Sequence, residues 1–221
     1  MAVARSTKEE IILAAARLVS DDGVDGVSRR QIGAEAGNAN NSAVQYHFGS
    51  KADLVRAVFE YRLPRLQQRR ALLVSERRPR DLRGWLECQV RAVLEQSELD
   101  DSRYMAFVAS LRQHREVDGF RQLPDELRAW QADFEASLRA HLGHLAEPVQ
   151  TMRLDQAMTL IVQAAADRER ARGSGQPVLA FALEVGNLLD AVVGLLGAPM
   201  SPATKAGLDD SAAAVRGPVL L

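Results

Sequence analysis

The sequence has 221 residues, and its 28 lysines and arginines against 29 aspartates and glutamates give a formal net charge of −1. This balance excludes a chain that is basic over its whole surface, so any surface that attracts nucleic acid has to be local. The sequence has one cysteine and no uncharged apolar run of about eighteen residues, so we expect neither an internal disulfide nor a transmembrane helix.

Four helices are predicted in the N-terminal part, where apolar residues recur every three or four positions without strand-like alternation. Thr7 and Glu10 have the spacing of a capping box, and Ser28 and Gln31 repeat it. Pro64 is expected to kink or break the fourth helix, because proline has no N–H to donate. The four predicted helices span about residues 8–20, 29–36, 42–48 and 51–63.

The same periodicity continues beyond Pro64, so the predicted fold class is all-α. Arginines crowd the segment 62–83, which indicates either a solvated helix face or a role at DNA or at a hinge. The tail, residues 198–221, lacks a sustained pattern and is expected to be loosely ordered. The later helices are predicted over about residues 81–96, 102–115, 124–145, 151–172 and 178–196.

Three short helices joined by tight turns are typical of a helix-turn-helix unit, whose second helix enters the major groove of DNA. Residues 45–54 read QYHFGSKADL, and residues 32–37 read IGAEAG. These two segments resemble the recognition-helix region of the tetracycline-repressor (TetR) family, and the resemblance covers about residues 8–60. The sequence departs from the commonest family spacing by one additional residue after Gly37, and Asn38 stands where an apolar residue is usual.

The third helix is expected to divide its side chains between the protein core and DNA. Val44 and Phe48 lie four positions apart and should pack inward. On the free face, glutamine can pair with adenine and alanine can meet a thymine methyl group, while residues at the helix end contact phosphates. For Tyr46 a core position is the alternative, and the additional residue leaves open which of residues 40–43 face base edges. The candidate DNA-binding residues are Ser28, Arg29, Asn40, Asn41, Ser42, Ala43, Gln45, Tyr46, His47 and Lys51.

The resemblance implies an N-terminal three-helix helix-turn-helix DNA-binding domain joined to a C-terminal helical ligand-binding and dimerisation domain. We place the first at residues 1–50 and the second at 64–197, with the fourth helix, about 51–63, connecting them. In TetR-like proteins the second domain encloses a small-molecule pocket, although aromatic residues there can equally be core. The candidate ligand contacts are Tyr104, Phe107, Trp130 and Phe134.

The last two long helices carry wide apolar faces, which fit either burial within one chain or a four-helix interface with a second copy. The family resemblance favours the dimer, and so does the need of a small recognition unit for two DNA half-sites. The candidate interface residues are Leu154, Met158, Ile161, Phe181, Val185, Leu188, Leu189, Val192 and Leu195.

The sequence therefore predicts a ligand-responsive transcriptional repressor that binds a near-palindromic operator as a homodimer and is released by a small-molecule inducer. We expect it in the cytoplasm, because residues 1–10 are polar and do not read as a signal peptide. No phosphate-binding loop or nucleophile elbow is found, and His141 with His144 makes only half of a metal site, so no enzyme activity, cofactor or metal is expected. A helical protein-interaction adaptor is the main alternative, and a small-molecule enzyme is the other.

Overall fold

The fold is a bundle of helices, seen in a computed structural model that describes residues 6–37, 42–99, 102–113 and 125–210. No strand occurs within those ranges, which confirms the predicted all-α class. The helices of the described residues are α1 (Thr7–Gly26), α2 (Arg29–Glu35), α3 (Ser42–His47), α4 (Lys51–Arg77), α5 (Leu82–Gln96), α6 (Tyr104–Gln113), α7 (Asp125–Arg139), α8 (Glu147–Gly173), α9 (Phe181–Gly197) and α10 (Pro202–Asp210).

The first helix begins one residue earlier than the sequence suggested. Ser6, and not Thr7, forms the capping box: the Glu9 N–H donates to Ser6 Oγ over 3.3 Å, and the Ser6 N–H donates to the Glu9 carboxylate over 2.8 Å. Two pairs with the same spacing overlap here, so spacing alone could not choose between them. The helical conformation is interrupted by a kink at Gly23 (φ 71°, ψ 169°), close to the predicted end, and a further short stretch completes α1 to Gly26.

The fourth helix is longer than predicted and runs without a break through Pro64. Ser50 caps its start, where the Asp53 N–H donates to Ser50 Oγ over 3.0 Å. Leu63 and Leu66 on either side of the proline are 0% exposed. Their burial in the core offsets the one backbone hydrogen bond that proline cannot make, so the prediction of a helix end at this point was wrong.

The tail is also more regular than predicted, because residues 202–210 form α10. Ser201 Oγ accepts a hydrogen bond from the Thr204 N–H over 3.1 Å, which caps this helix. Met200 and Leu208 pack against the core. The rest of the predicted tail, residues 211–221, lies outside the described residues.

One hydrophobic core extends from Ile11 in α1 to Leu196 in α9. Helix α1 packs on α4 and α6, α6 packs on α8, and α9 packs on α5 and α8. Helix α4 crosses the predicted boundary between residues 63 and 64 and so belongs to both predicted parts. Among the described residues no single helix is long and apolar enough to span a membrane, although α9 together with Pro202–Leu208, bent by 60°, passes on length and composition.

Four of the eight arginines of residues 62–83 serve contacts between helices. Arg70 is buried, and others hold α4 and α5 against neighbouring elements through carboxylates. These ion pairs are Arg69 with Glu95 (2.5 Å), Arg77 with Glu87 (2.8 Å) and Arg83 with Asp190 (2.6 Å).

Candidate nucleic-acid interface and sensor interior

Helix α3 is anchored by two side chains on its inner face. Val44 is 1% exposed and Phe48 is 4% exposed, and both belong to the core that includes Ile32 of α2. The Phe48 N–H donates to the Val44 carbonyl over 2.9 Å, which extends the helical turn to the second anchor. The inward packing predicted for this pair is confirmed, and it fixes which face of the short helix points to solvent.

The opposite face of α3 is open to solvent. Tyr46 is 86% exposed, so the alternative of a core aromatic was wrong for this residue. Gln45 and His47 are exposed beside it, and the His47 ring meets the Tyr46 ring edge-on with centroids 5.2 Å apart. Ser42 and Ala43 begin the helix, whereas the candidate residues Asn40 and Asn41 lie outside the described residues.

Arg29 ties the start of α2 to α3 and to the turn that follows α3. Its guanidinium donates to the side-chain oxygen of Gln45 and, over 3.0 Å, to the carbonyl of Gly49. Sequence reasoning placed Arg29 and Gln45 separately at the DNA, and no short spacing could reveal their contact, because the two residues lie in different helices. Gln45, the side chain predicted to read a base, is thus held by Arg29, a residue predicted to contact the DNA backbone.

Ser28 and Lys51 stabilise other parts of the helix-turn-helix unit. Ser28 Oγ caps α2 by accepting from the Gln31 N–H over 3.2 Å, which confirms the predicted capping box. Lys51 Nζ donates to the Val24 carbonyl over 2.9 Å, at the end of α1. Its charge is therefore held close to the start of α4, where Ser50 also lowers the pKa of the Asp53 carboxyl by hydrogen bonding to it.

The four predicted ligand contacts stay a prediction, and the structure shows a direct contact between Tyr104 and Phe107. Tyr104 and Phe107 are each 1% exposed and stack with centroids 6.4 Å apart. Phe134 packs instead against Trp85, with centroids 5.7 Å apart. Trp130 is 43% exposed on the outside of α7. Aromatic spacing along the sequence does not report which side of a helix faces the interior.

A buried polar cluster, which the sequence analysis missed, lies between α4, α5 and α7. Arg70 is 3% exposed, and its guanidinium lies 4.2 Å from the Phe134 ring centroid. It donates to the side-chain oxygens of Gln89 (2.9 Å) and Gln131 (3.1 Å). Burial lowers the pKa of Arg70 to about 10, so it remains a cation at neutral pH. Polar groups inside an otherwise apolar bundle can position a polar ligand.

Most of the predicted dimer residues are covered within the single chain. Phe181 and Leu195 are half-buried, but the other seven expose no more than 5% of their surface and have little left to present to a second copy. Burial within the chain, the alternative reading of their periodicity, therefore accounts for them. These buried residues are Leu154, Met158, Ile161, Val185, Leu188, Leu189 and Val192.

Other apolar side chains occupy the solvent side of the same region. Leu160 on α8 is 41% exposed, Leu183 on α9 is 59% exposed, and Leu179 just before α9 is 58% exposed. In the part of the chain that the structure describes, no three potential metal ligands come together, and the imidazole Nε2 of His144 lies 3.1 Å from the Leu196 carbonyl oxygen.

The first three helices end in α3, which is anchored to the core by its inner face and exposes polar and aromatic side chains on its outer face. This arrangement defines a helix-turn-helix protein. Residues 11–58 match the model of the bacterial regulatory proteins of the tetR family, which spans all of α2 and α3. The helix-turn-helix unit of this chain is therefore similar to that of the bacterial regulatory proteins of the tetR family.

Solved structures of regulators share the fold over nearly the whole chain. A tetR family transcription regulator from Shewanella sp. PV-4 is 21% identical with a TM-score of 0.54, covering 85% of this chain and 96% of that one. AmtR from Mycobacterium smegmatis is 20% identical with a TM-score of 0.54 over 98% and 99% of the two chains. A transcriptional regulator from Rhodococcus sp. Rha1 is 20% identical with a TM-score of 0.53 over 89% and 100%. None of the curated proteins matches the sequence.

Proposed function

We propose that the chain is a cytoplasmic, homodimeric repressor that binds a near-palindromic operator and leaves it when a small-molecule inducer binds. The observation that carries this proposal is the division of α3 into a buried face, Val44 and Phe48, and an exposed face, Gln45 to His47. A helix fixed in this way can enter the major groove without losing its packing.

The exposed side chains supply different kinds of DNA contact. Gln45 has an amide that can pair with adenine in two hydrogen bonds, which gives sequence preference. Tyr46 and His47, at the end of the helix, suit phosphate oxygens. Arg29 donates a hydrogen bond to the Gln45 amide in the free protein. On DNA, Arg29 can bind a phosphate instead of this neutral partner. Gln45 is then free to pair with a base.

A homodimer would give the short helix two half-sites. One recognition helix reaches only a few base pairs, and two of them roughly 34–36 Å apart fit successive major grooves. Leu160 and Leu183, with other exposed apolar residues of α8 and α9, supply the surface for a second copy, since such side chains are normally covered.

Release by an inducer requires a ligand that prefers one arrangement of the helices over another. The polar cluster around Arg70 lies on α4, which continues into the DNA-binding unit. A ligand that changes how Arg70 packs would therefore act on the helix that carries α3. The shift in DNA affinity can be no larger than the difference in ligand affinity between the two arrangements.

The test is a gel-shift titration of purified protein with the DNA upstream of its own gene. We expect a complex that forms on this DNA at lower protein concentration than on shuffled DNA of the same composition. Its affinity should fall steeply with salt, because phosphate contacts release counterions. Equal affinity for both DNAs at every salt concentration would refute the operator proposal.

A further inference from the structure

Helix α7 is fixed to the bundle by its second half. Phe134 is 6% exposed and packs against Trp85. Leu138 is 0% exposed. Arg139 Nη2 donates to Thr151 Oγ1 over 3.0 Å, which ties the end of α7 to α8. This half of the helix is therefore held by apolar burial and by a polar contact together.

The first half of α7, residues 125–133, contains no buried residue. Leu127 and Gln131 are half-buried, and the other residues of this half are exposed, among them Trp130 at 43%. Leu127 is its apolar contact with the core. Since stabilisation by the hydrophobic effect scales with the apolar area removed from water, this half gains little from it.

Polar contacts from α4 hold this first half instead. Gln67 Nε2 donates to the Leu127 carbonyl over 3.1 Å, and Arg70 Nη2 donates to Gln131 Oε1 over 3.1 Å. The net contribution of such hydrogen bonds to stability is modest, because water offers the same bonds to the separated groups. Residues 125–133 are therefore bound more weakly than the rest of the helix.

Gln67 makes the closed arrangement less favourable still. The residue is 1% exposed, and its Oε1 has no hydrogen-bond partner among the described residues. A buried acceptor without a partner loses its hydration and gains nothing in return. If residues 125–133 moved away from α4, water would reach this oxygen, and the penalty would be removed.

The same movement would uncover Arg70. This residue is 3% exposed, and Gln131 and the Phe134 ring of α7 both lie against its guanidinium. Gln89 of α5 accepts from the guanidinium over 2.9 Å and keeps it in place. Contact with water is favourable for a cation, so Arg70 and Gln67 both favour an opened state.

We propose that residues 125–133 form a flap, which opens while Phe134–Arg139 stays in place and gives small molecules access to Arg70. Helices shorter than about 12 residues are marginal in water without packing, so the flap unwinds as it leaves the bundle. The opened state is a minor population of the folded protein.

The flap has a consequence for induction, which rests on the proposed function. A ligand that reaches Arg70 binds to α4, the helix that begins at Lys51 beside the helix-turn-helix unit. The flap is then the entrance to the polar cluster around Arg70. The closed bundle needs no preformed space for the ligand, because opening supplies the room.

Hydrogen–deuterium exchange of the full chain, followed by mass spectrometry, measures the opening. The amides of residues 129–133 bond to carbonyls within α7, so they exchange when the helix opens. We expect them to exchange at least about tenfold faster than the amides of residues 135–139. Equal rates in the two halves would overturn the proposal, because α7 would then open as one unit.

Phenylglyoxal, a reagent that labels accessible guanidinium groups, measures access to Arg70. Peptide mass spectrometry identifies the labelled residues. Arg65 is exposed and should react fastest, whereas Arg168 is 5% exposed and is paired with Glu98 and Glu184, away from α7. We expect Arg70 to react at least about tenfold faster than Arg168. Equal labelling of Arg70 and Arg168 would contradict the proposed access.

Gln131→Ala tests whether the flap controls this access. The substitution removes the acceptor that Arg70 has on the flap, so exchange of residues 129–133 and labelling of Arg70 should both rise about tenfold. Alanine is the better helix former, so a loss of helix propensity would not explain faster exchange. Unchanged rates in this variant would overturn the proposal.

Ala132→Gln is the matched control, because Ala132 is exposed beside Gln131 and the same two residue types are exchanged in reverse. Its rates should stay within about threefold of the wild type, and a rise equal to that of Gln131→Ala would refute the role of the Arg70 contact. Neither measurement involves DNA. A failed gel shift would therefore count against the repressor proposal and leave the flap intact, whereas equal exchange in both halves of α7 would do the reverse.

Discussion

Neighbouring residues in and just after α3 have different roles, some in the stability of the protein and others in its contact with DNA. Phe48 is 4% exposed, whereas Tyr46, two positions earlier, is 86% exposed. Substitutions at exposed positions that make no specific contact usually change stability by about 0.5 kcal/mol or less. Substitution of Phe48 should therefore lower the stability of the protein, whereas substitution of Tyr46 should change DNA binding and leave stability nearly unchanged.

We predict that Tyr46→Ala weakens binding to all DNA sequences several-fold and leaves Tm unchanged, because a phosphate contact carries no sequence information. Gln45→Ala should cost about 1–3 kcal/mol on the preferred sequence and little on shuffled DNA. Gel-shift titrations on both DNAs together with thermal melts check this. The control Phe48→Ala should lower stability by about 3–5 kcal/mol. Unchanged DNA binding in both surface variants would contradict the assigned roles.

Glu169 is a second residue with a measurable signature. Its carboxylate is 3% exposed and caps the start of α6 through the Met105 and Ala106 N–H groups. Burial raises the pKa of this carboxyl, and the hydrogen bonds offset only part of that rise. The folded state thus holds the proton to a higher pH than the unfolded chain, where glutamate titrates near roughly pH 4.3.

This residue should make the protein less stable as pH rises. Between the unfolded and folded pKa values the folded state binds more protons, so the free energy of unfolding falls with pH through that window. Glu169→Gln cannot titrate, so its stability relative to wild type should increase from about pH 4.3 upward. Urea unfolding at several pH values measures the difference. The exposed Glu126→Gln is the control, and parallel curves for Glu169→Gln and wild type would count against this account.

At the scale of an element, α4 is the helix that joins the helix-turn-helix unit to the rest of the bundle. It runs from Lys51 to Arg77 and includes Pro64. A proline inside a helix leaves a carbonyl of the preceding turn without its usual donor. The burial of Leu63 and Leu66 on either side of the proline keeps the helix continuous at this point.

We predict that Pro64→Ala stabilises the protein by about 1–2 kcal/mol, because the gain in helix propensity exceeds the greater entropy of the unfolded chain. Urea unfolding measures it. Pro148→Ala is the matched control, since Pro148 lies in the first turn of α8, where a missing N–H costs little. A Pro64→Ala variant that is no more stable than wild type would show that the proline does not destabilise the helix.

At the scale of the molecule, the exposed apolar side chains of α8 and α9 should decide whether the chain is a monomer or a dimer. We predict that Leu160→Asp combined with Leu183→Asp converts a dimer into a folded monomer, because carboxylates resist burial in an apolar interface. Analytical ultracentrifugation measures the mass, and circular dichroism checks folding. Leu72→Asp, at a residue of α4 that is 49% exposed, is the control. A wild-type monomer, or a dimer in the double variant, would contradict the prediction.

The sequence determined the features that depend on neighbours along the chain. The capping box at Ser28, the short α3 and the inward pair Val44 and Phe48 follow from contacts three or four residues apart, which repeat in any helix. The N-terminal motif that resembles the TetR family is local for the same reason. Spacing alone could not decide whether Ser6 or Thr7 caps α1, because each stands three residues before a glutamate.

Only the tertiary structure decided which residues meet across helices. Spacing could not show that Arg29 holds Gln45, that α4 continues through Pro64, or that Arg70 lies against Gln131. It also could not tell the buried Leu188 from the exposed Leu183, because a wide apolar helix has a covered side only once its neighbours are in place. Periodicity sets the pattern on each helix, and packing between helices sets which part of that pattern remains at the surface.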